Sequence, residues 1–569
     1  MSYFQDSPEW QWLFSKAVNW DDILPHYISQ YPTPEGLANE DEVKKNCLEI
    51  LTVLDDWAEK KIAPRAPFLD QHGSGHIENG MTIPNEYLQE LYREAAEIGL
   101  LGVVGSRDYG AMDLPIFINM MAFAFVSRGC LASSSQLNFF SATIDMLERF
   151  CSKEDCARLI PLIVAGKLSG SMTLTESDAG SDIGALTTRA VRTSDGSYRL
   201  SGNKIFITNA GGGLSFALAR TEGAPSGIKG ISLFLVEQTI KVNGVDTQNY
   251  RVLSQEKKLG MRGSFTCSVA FENSVASLIG KENEGLPLMF HLMNQSRIGV
   301  GTQAIGIMEA CLQFVKGYAQ ERVQFGRPLM ELPLFRHNFH SWETELNAFR
   351  AFFVDSLNTF SIYHRLDLKR RQTGDLNADE SKKLKDALST VKLRTPLIKY
   401  YGAELAVDLS KKSIQALGGY GLMEDYPVER WHRDSFGPLL YEGTSQIQSL
   451  MVTKDLVKGI LKNPREFFAS MIPSAGFSLS AEQRDYSNLR KRFFRGLTRM
   501  IVKETGWVNE SKIDKLLVHS EEICEGLSYL ETLKVLADHA AADDSRRLLF
   551  QDYQKLIQPR LAGILESWK

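Results

Sequence analysis

The chain has 569 residues, 43% of them hydrophobic and 23% charged, with a net charge of −5. This is the composition of an ordinary globular protein long enough for several domains. It excludes a disordered chain, and so small a net charge provides no field to gather nucleic acid. Seven scattered cysteines, at 47, 130, 151, 156, 267, 311 and 524, point to reduced thiols rather than a disulfide framework. Cys151 and Cys156 lack the second pair that a zinc site uses, so no metal is expected. No apolar run is long enough to span a bilayer. The opening MSYFQDSPEWQWLF has neither the order of a secretory signal nor the Arg/Ser richness of a transit peptide, so a cytoplasmic address is expected.

Residues 1–40 read as an aromatic-rich arm. Trp10, Leu13, Phe14 and Val18 follow helical spacing, and the proline-containing stretch Tyr31–Gly36 ends it. Residues 41–168 read as helices. Val43, Cys47, Ile50, Leu51, Leu54 and Trp57 recur at three- and four-residue steps, as do Leu88, Leu91, Ala95, Ile98 and Leu101. Met120–Ala132 is apolar on nearly all sides and reads as buried. Asp70, His72 and His76 lie in DQHGSGHIENG, which reads as a solvated loop rather than a metal site. From Ser169 to 285 the period changes to short β-branched runs. These predict an antiparallel sheet or small barrel, with tight turns at Asp195-Gly196 and Ser201-Gly202.

Helices return over 286–463, with long candidates at Gly299–Tyr318 and Asp386–Leu417. The order predicts an α+β, mainly α fold: a helical bundle, an inserted antiparallel β domain and a second helical bundle. Ile472–Glu482 reads as a linker within a C-terminal helical extension, 464–569. Its stretch 490–503 sets Phe493, Phe494, Leu497, Met500 and Ile501 against Arg492, Arg495, Arg499 and Lys503. Such a helix either makes a weak contact with an anionic membrane surface or packs in a bundle with its basic face solvated. The bundle is the preferred reading.

The stretch LYEGTSQIQSL (440–450) carries one carboxylate, Glu442, between Tyr441 and Gly443. Thr444 and Ser445 look like caps for the apolar helical run beyond. The end of a loop at the mouth of a helix suits a general base; a carboxylate that merely favours the helix N-terminus is the alternative. SMTLTESDAGSD (171–182) combines hydroxyls and backbone donors with the apolar Met172 and Leu174, a set that suits a flat heterocycle. In KIFITN (204–209), alternation puts Phe206 and Thr208 on one strand face, which a core-facing pair explains equally well. ERVQFGRPL (321–329) offers Arg322 and Arg327 to phosphates, with Phe325-Gly326 between them. QALGGYG (415–421) has adjacent glycines whose backbone donors suit a diphosphate. No G-x-G-x-x-G follows a strand, which counts against a doubly wound nicotinamide enzyme.

In this order, the motifs closely resemble the acyl-CoA dehydrogenase flavoprotein family, over about residues 45 to 462. KLGMRGSFTCSVAFENSV and EDYPVERWHRD match further family signatures. The length and the extension are similar to the very-long-chain-like and methylthiopropionyl-CoA dehydrogenase-like branches. The resemblance implies FAD-dependent α,β-dehydrogenation of an acyl-CoA to the trans-2-enoyl-CoA. Glu442 would remove the α-proton, the flavin N5 would take the β-hydrogen as hydride, and an electron-transfer flavoprotein would accept the electrons. The thioester oxygen would be stabilised by the Glu442 backbone N–H and a flavin ribityl hydroxyl, and a dry pocket would raise the proton affinity of the base.

The resemblance further implies that Met172, Leu174, Thr175, Phe206 and Thr208 surround the isoalloxazine. Arg322, Phe325, Gln415, Gly418 and Gly419 would hold the diphosphate and adenosine part, partly across the subunit interface of a homodimer. Thr444 and Gln446 would complete the cofactor site. Ser181 would lie near the CoA arm, Arg297 would support the active site, and Tyr441 and Gly443 would contact substrate. Three positions depart from the family pattern: Ser177 replaces a proline, Phe206 replaces a tryptophan and so loses an indole N–H, and Ser296 stands where some branches carry the base. An acyl-CoA oxidase using O2 and a non-catalytic flavoprotein of the same fold are the alternatives. The intact Glu442 counts against the second.

Overall fold

The structure, a computed structural model, describes residues 2–462, 479–505 and 513–569, so most of the expected linker Ile472–Glu482 lies outside the described residues. The chain forms two compact units. One comprises residues 1–6, 21–306 and 364–384; the other comprises 7–20, 307–363 and 385–569.

In the first unit the periodic run at 43–57 lies on the helix Glu40–Trp57. The Asn39 side chain accepts from the Glu42 amide, and Glu40, Asp41 and Glu42 sit at the positive end of the helix. Val43, Cys47, Leu51, Leu54 and Trp57 form its buried side. The helix Ile116–Gly129 is buried on nearly every side, as its composition requires.

The expected loop DQHGSGHIENG is largely regular structure. It holds the end of the helix Ala66–His72 and the first strand and turn of a hairpin of β1 (Gly75–Glu78) and β2 (Met81–Pro84). The turn Asn79-Gly80 has both residues left-handed, at φ 49° and 77°. That dipeptide is a strong hairpin signal, and it outweighs the polar composition. Among the described residues no group of His, Cys, Asp or Glu is arranged to hold a metal.

The sheet has seven strands: β3 (Ser169–Thr173), β4 (Arg189–Arg192), β5 (Tyr198–Thr208), β6 (Gly213–Thr221), β7 (Ser232–Glu237), β10 (Arg251–Gln255) and β11 (Thr266–Ile279). A separate hairpin joins β8 (Thr239–Val242) to β9 (Val245–Gln248). Strand β11 pairs with both β5 and β7, β7 with β6, β6 with β4 and β4 with β5, so the sheet closes on itself as a barrel. Most pairings are antiparallel, but β6 runs parallel to β3 and β4. Asp195-Gly196 turns between β4 and β5. Ser201-Gly202 does not turn; it lies inside β5. A Cβ at Gly202 would stand 2.4 Å from the Thr188 hydroxyl, so the glycine serves a close strand approach rather than a turn.

A buried charge network ties the end of the helix Pro333–Thr373 into this unit. Arg149 Nε donates to Asp145 at 2.7 Å, Nη1 to Asp367 at 3.1 Å and Nη2 to the His364 carbonyl at 2.8 Å. Burial opposes ionisation of Asp145, but Arg149 and the neighbouring histidines hold its carboxyl well below the usual range. Burial and Arg149 in turn push His291 down to about 4.

The long helix Gly285–Glu321 begins well before the expected Gly299, because Leu286, Met289 and Leu292 extend its buried stripe. By length and composition it is long enough to cross a membrane, which corrects the sequence expectation, but it lies mostly buried inside the protein.

In the second unit the helices Ala481–Thr505, Ser520–Ala542 and Arg547–Ser567 pack together. Phe493, Phe494, Leu497, Met500 and Ile501 are buried, while Arg492, Arg495 and Arg499 are exposed. The Phe493 ring lies 5.3 Å from that of Trp568. The apolar side that a membrane contact would use is therefore covered, and the bundle reading of 490–503 describes it.

Arm and extension meet within this unit. The Trp10 indole donates to Glu309 at 2.7 Å, Trp12 to Asp543 at 2.8 Å, and Arg546 pairs with Glu9. Replacing Arg149 by methionine leaves Asp145 and Asp367 buried without their shared cation. The loss is about 3–5 kcal/mol of stability, measurable as a lower urea midpoint in equilibrium unfolding.

Candidate active site

In the first unit, β3 delivers Met172 half-buried, and the chain continues through the half-buried Leu174 and Thr175. Glu176 then turns inward. Its carboxylate accepts from the amides and hydroxyls of Thr187 and Thr188 and from Lys204 Nζ at 2.9 Å. Lys204 is fully buried and also donates to the Leu174 and Leu218 carbonyls, each at 2.9 Å. Burial opposes the charge on Glu176, but the Lys204 ammonium and the threonine donors hold it down to about 2. Burial pushes Lys204 down to about 8, against the pull of Glu176, so both groups are charged at neutral pH. The turn survives the serine at 177, because Glu176 and Ala179 exchange backbone hydrogen bonds of 3.0 and 3.1 Å. Ser181 is exposed on the loop beyond it.

Phe206 sits on β5 where the register with β11 shifts. Its φ is 60° and it is 60% exposed, while Ile207 is buried and Thr208 half-buried. The exposure excludes a core-facing pair. The KLGMRGS loop is drawn in by Lys258, whose Nζ donates to Ser264 O and Oγ and to Thr266 Oγ1; Met261 within it has φ 53°. Arg297 is buried on the helix Gly285–Glu321 and donates to Asn294 Oδ1 at 3.4 Å.

In the second unit, Arg322 follows that helix and opens a hairpin of β12 (Val323–Gln324) and β13 (Arg327–Pro328). Its turn is Phe325-Gly326, both left-handed at φ 53° and 79°, and Phe325 is 91% exposed. The Arg322 guanidinium lies 5.5 Å from the Tyr420 ring centroid, which brings it to the turn Gly418–Leu422. Gln415 is exposed on the last turn of the helix Ala378–Leu417. A Cβ at Gly418 or Gly419 would meet nothing within 4 Å, so this backbone borders open space.

Tyr441 ends the helix Val428–Leu440 and is half-buried. Glu442, also half-buried, has φ 59°, and Gly443 follows at 89°. Thr444 is the expected cap: its hydroxyl accepts from the Ile447 amide at 3.4 Å. The helix Ser445–Lys462 then starts, and Gln446 is exposed on it. The buried Ser445 hydroxyl has no partner among the described residues. Gln448, which the sequence reading passed over in favour of Gln446, is fully buried. Its Nε2 donates to the carbonyls of Glu442 at 2.8 Å and Gly443 at 3.1 Å.

Each unit by itself offers residues that fit a part of FAD. The exposed Phe206 ring with Met172 and Leu174 offers apolar surface to a flat heterocycle. Gly418 and Gly419, in open space beside Arg322, offer amides and a cation to a diphosphate. The orphaned Ser445 hydroxyl, at the mouth of a helix, is a donor to a polar ligand group.

Fold and site define a flavoprotein oxidoreductase. The chain matches the N-terminal domain profile of acyl-CoA dehydrogenases over residues 46–167, the middle-domain profile over 171–274 and the C-terminal-domain profile over 283–361 and 374–457. It is similar to an acyl-CoA dehydrogenase of Bacillus subtilis, 32% identical over 71% of this chain and 96% of that one. It is also similar to the 3-methylmercaptopropionyl-CoA dehydrogenase of Ruegeria pomeroyi, 30% identical over 74% and 73%. A solved acyl-CoA dehydrogenase from Bacillus anthracis shares the fold over 95% of this chain and 89% of its own, with a TM-score of 0.75 at 21% identity. The chain belongs to the acyl-CoA dehydrogenase family and is an FAD-dependent oxidoreductase acting on acyl-CoA.

The expected cytoplasmic address is withdrawn. Relatives include mitochondrial enzymes: the short/branched chain specific acyl-CoA dehydrogenase of Rattus norvegicus, 28% identical over 70% of this chain and 83% of its own, and the isovaleryl-CoA dehydrogenase of Solanum tuberosum, 27% identical over 71% and 88%. An address is read by a receptor from a specific signal, so the composition of fourteen N-terminal residues does not assign one.

Glu176→Gln leaves Lys204 buried without its counter-charge and lowers stability by about 3–5 kcal/mol. The pH dependence has a definite sign. The folded carboxyl lies at about 2, below its ordinary 4.5, so its contribution is complete above 4.5 and is lost as pH falls through 2. Urea unfolding between these limits falls with pH in the native protein, and in Glu176→Gln that component is absent.

Proposed function

We propose that the protein converts an acyl-CoA to the trans-2-enoyl-CoA, with Glu442 removing the α-proton. The observation that carries this reading is the left-handed backbone of Glu442 at the mouth of a helix, braced by a buried amide. Bound FAD supplies the two-electron acceptor for the β-hydrogen. The Glu442 N–H stabilises charge developing on the thioester oxygen, and Tyr441 and Gly443 fix the approach of substrate.

Met172, Leu174, Thr175, Phe206 and Thr208 contact the flavin ring in this reading. Arg322, Phe325, Gln415, Gly418 and Gly419 hold the diphosphate and adenosine, partly across the interface of a homodimer. Thr444 and Gln446 contact the cofactor, Ser181 the CoA arm, and Arg297 supports the site. The electrons leave to an electron-transfer flavoprotein. The chain is organised as an arm (1–40), a helical domain (41–168), a sheet domain (169–285), a second bundle (286–463) and an extension (464–569).

An anaerobic titration of the flavin-loaded protein tests this, using acyl-CoAs from propionyl to palmitoyl with branched and methylmercaptopropionyl thioesters. One acyl class is expected to bleach the flavin, and Glu442→Gln to abolish the bleaching. Absence of bleaching by every thioester sinks the dehydrogenase reading. Peroxide released in air during turnover would identify an oxidase instead.

A further inference from the structure

Two fully buried side chains grip the backbone on either side of Glu442. Lys399 Nζ donates to the Leu439 carbonyl at 2.9 Å, in the last turn of the helix Val428–Leu440. Carbonyls there have no intrahelical partner, and a cation is favourable at that end. From the other side, the single amide nitrogen of Gln448 serves two successive carbonyls, those of Glu442 and Gly443.

Gly443 is what admits the amide so close: a Cβ there would stand 2.6 Å from Gln448 Nε2. Between these anchors Glu442 holds φ 59°, a conformation that side-chain-bearing residues keep only where their surroundings enforce it. A hydrocarbon would fill either position without desolvating a polar head, so packing alone does not account for a buried ammonium and a buried amide.

We infer that Lys399 and Gln448 are positioning residues for the base, fixing the backbone from Leu439 to Gly443 so that the Glu442 carboxylate is aimed at the α-carbon. This rests on the reading of Glu442 as the base. Displacing a reacting group by about 1 Å costs about 10²-fold in rate. The effect falls on the proton-transfer step and leaves acyl-CoA affinity nearly unchanged.

The test uses FAD-loaded full-length protein and anaerobic stopped-flow bleaching with a thioester that the wild type oxidises. Gln448→Met and Lys399→Met, each with full flavin content, are expected to bleach about 10²-fold more slowly, with a larger α-deuterium isotope effect. The dissociation constant from the flavin absorbance shift stays within about threefold of wild type, and Lys399→Arg, which keeps a donor, recovers most of the rate. Wild-type bleaching in both methionine variants, alongside a dead Glu442→Gln, overturns the inference. Wild-type bleaching in Glu442→Gln instead removes the base reading on which it stands. Should a methionine variant lose its flavin, Gln448→Asn shortens the reach of the amide by one carbon and is read by the same criteria: slow bleaching at unchanged affinity supports positioning, and a wild-type rate overturns it.

Discussion

A carboxylate and an ammonium buried together in the barrel wall fix the strand ends of the first unit. Glu176 gathers four donors from Thr187 and Thr188, and Lys204 bridges that carboxylate to the carbonyls of Leu174 and Leu218. Each ion alone in that position would be prohibitive. Together, with every hydrogen on the ammonium used, they bind the end of β3, the strand β5 and the strand β6 at one point. Leu174 is the residue whose carbonyl is held, and Phe206 stands two residues from the lysine. The segments that carry the proposed ring contacts are thus tied through a common anchor.

Backbone strain marks the same places. Among the described residues, ten positions other than glycine have positive φ, and six of them are asparagine or aspartate, which tolerate it. The remaining four are Phe206, Met261, Phe325 and Glu442. Each lies in one of the stretches that carry the family resemblance. A bulky side chain in the left-handed region costs stability and persists only where neighbouring structure over-determines it. For Phe206 the over-determination is a register shift against β11; for Phe325 it is a two-residue hairpin turn; for Met261 it is a loop closed by Lys258; for Glu442 it is the pair of buried donors.

Much of the fold was legible because it follows period. The helix Glu40–Trp57 and the switch to strands at Ser169 are properties of apolar spacing. What escaped were features decided by single residues. The hairpin at 75–84 depends on the φ signs of Asn79-Gly80 rather than on the polarity around them. Gly202 looked like a turn because glycine is permissive, whereas here it allows Thr188 to approach. The candidate site was legible only as motifs, and its internal supports were not: Gln446 drew attention, and Gln448 holds the loop. One signal was available. Lys204 shares the inward register of the buried Leu200 on β5, and a lysine on a buried face has to find a carboxylate. The carboxylate it finds is that of Glu176, in the neighbouring SMTLTESDAGSD stretch.

The two ends of the chain obey a related constraint. The arm between 7 and 20 is rich in tryptophan, and each of Trp10 and Trp12 carries an indole N–H that must be satisfied if the ring is to be buried. Glu309 and Asp543 meet that need. Neither acid serves the arm alone: Glu309 also takes Arg350, and the Asp543 side chain also accepts from the Ser545 amide. Arg546 completes the arrangement by pairing with Glu9 while lying 4.1 Å from the Trp12 ring centroid. The extension helix that starts at Arg547 therefore begins beside residues from the opposite terminus. The arm makes physical sense as a segment in which two indoles find carboxylates in two different places, Trp10 at Glu309 of the long helix and Trp12 at Asp543 of the extension.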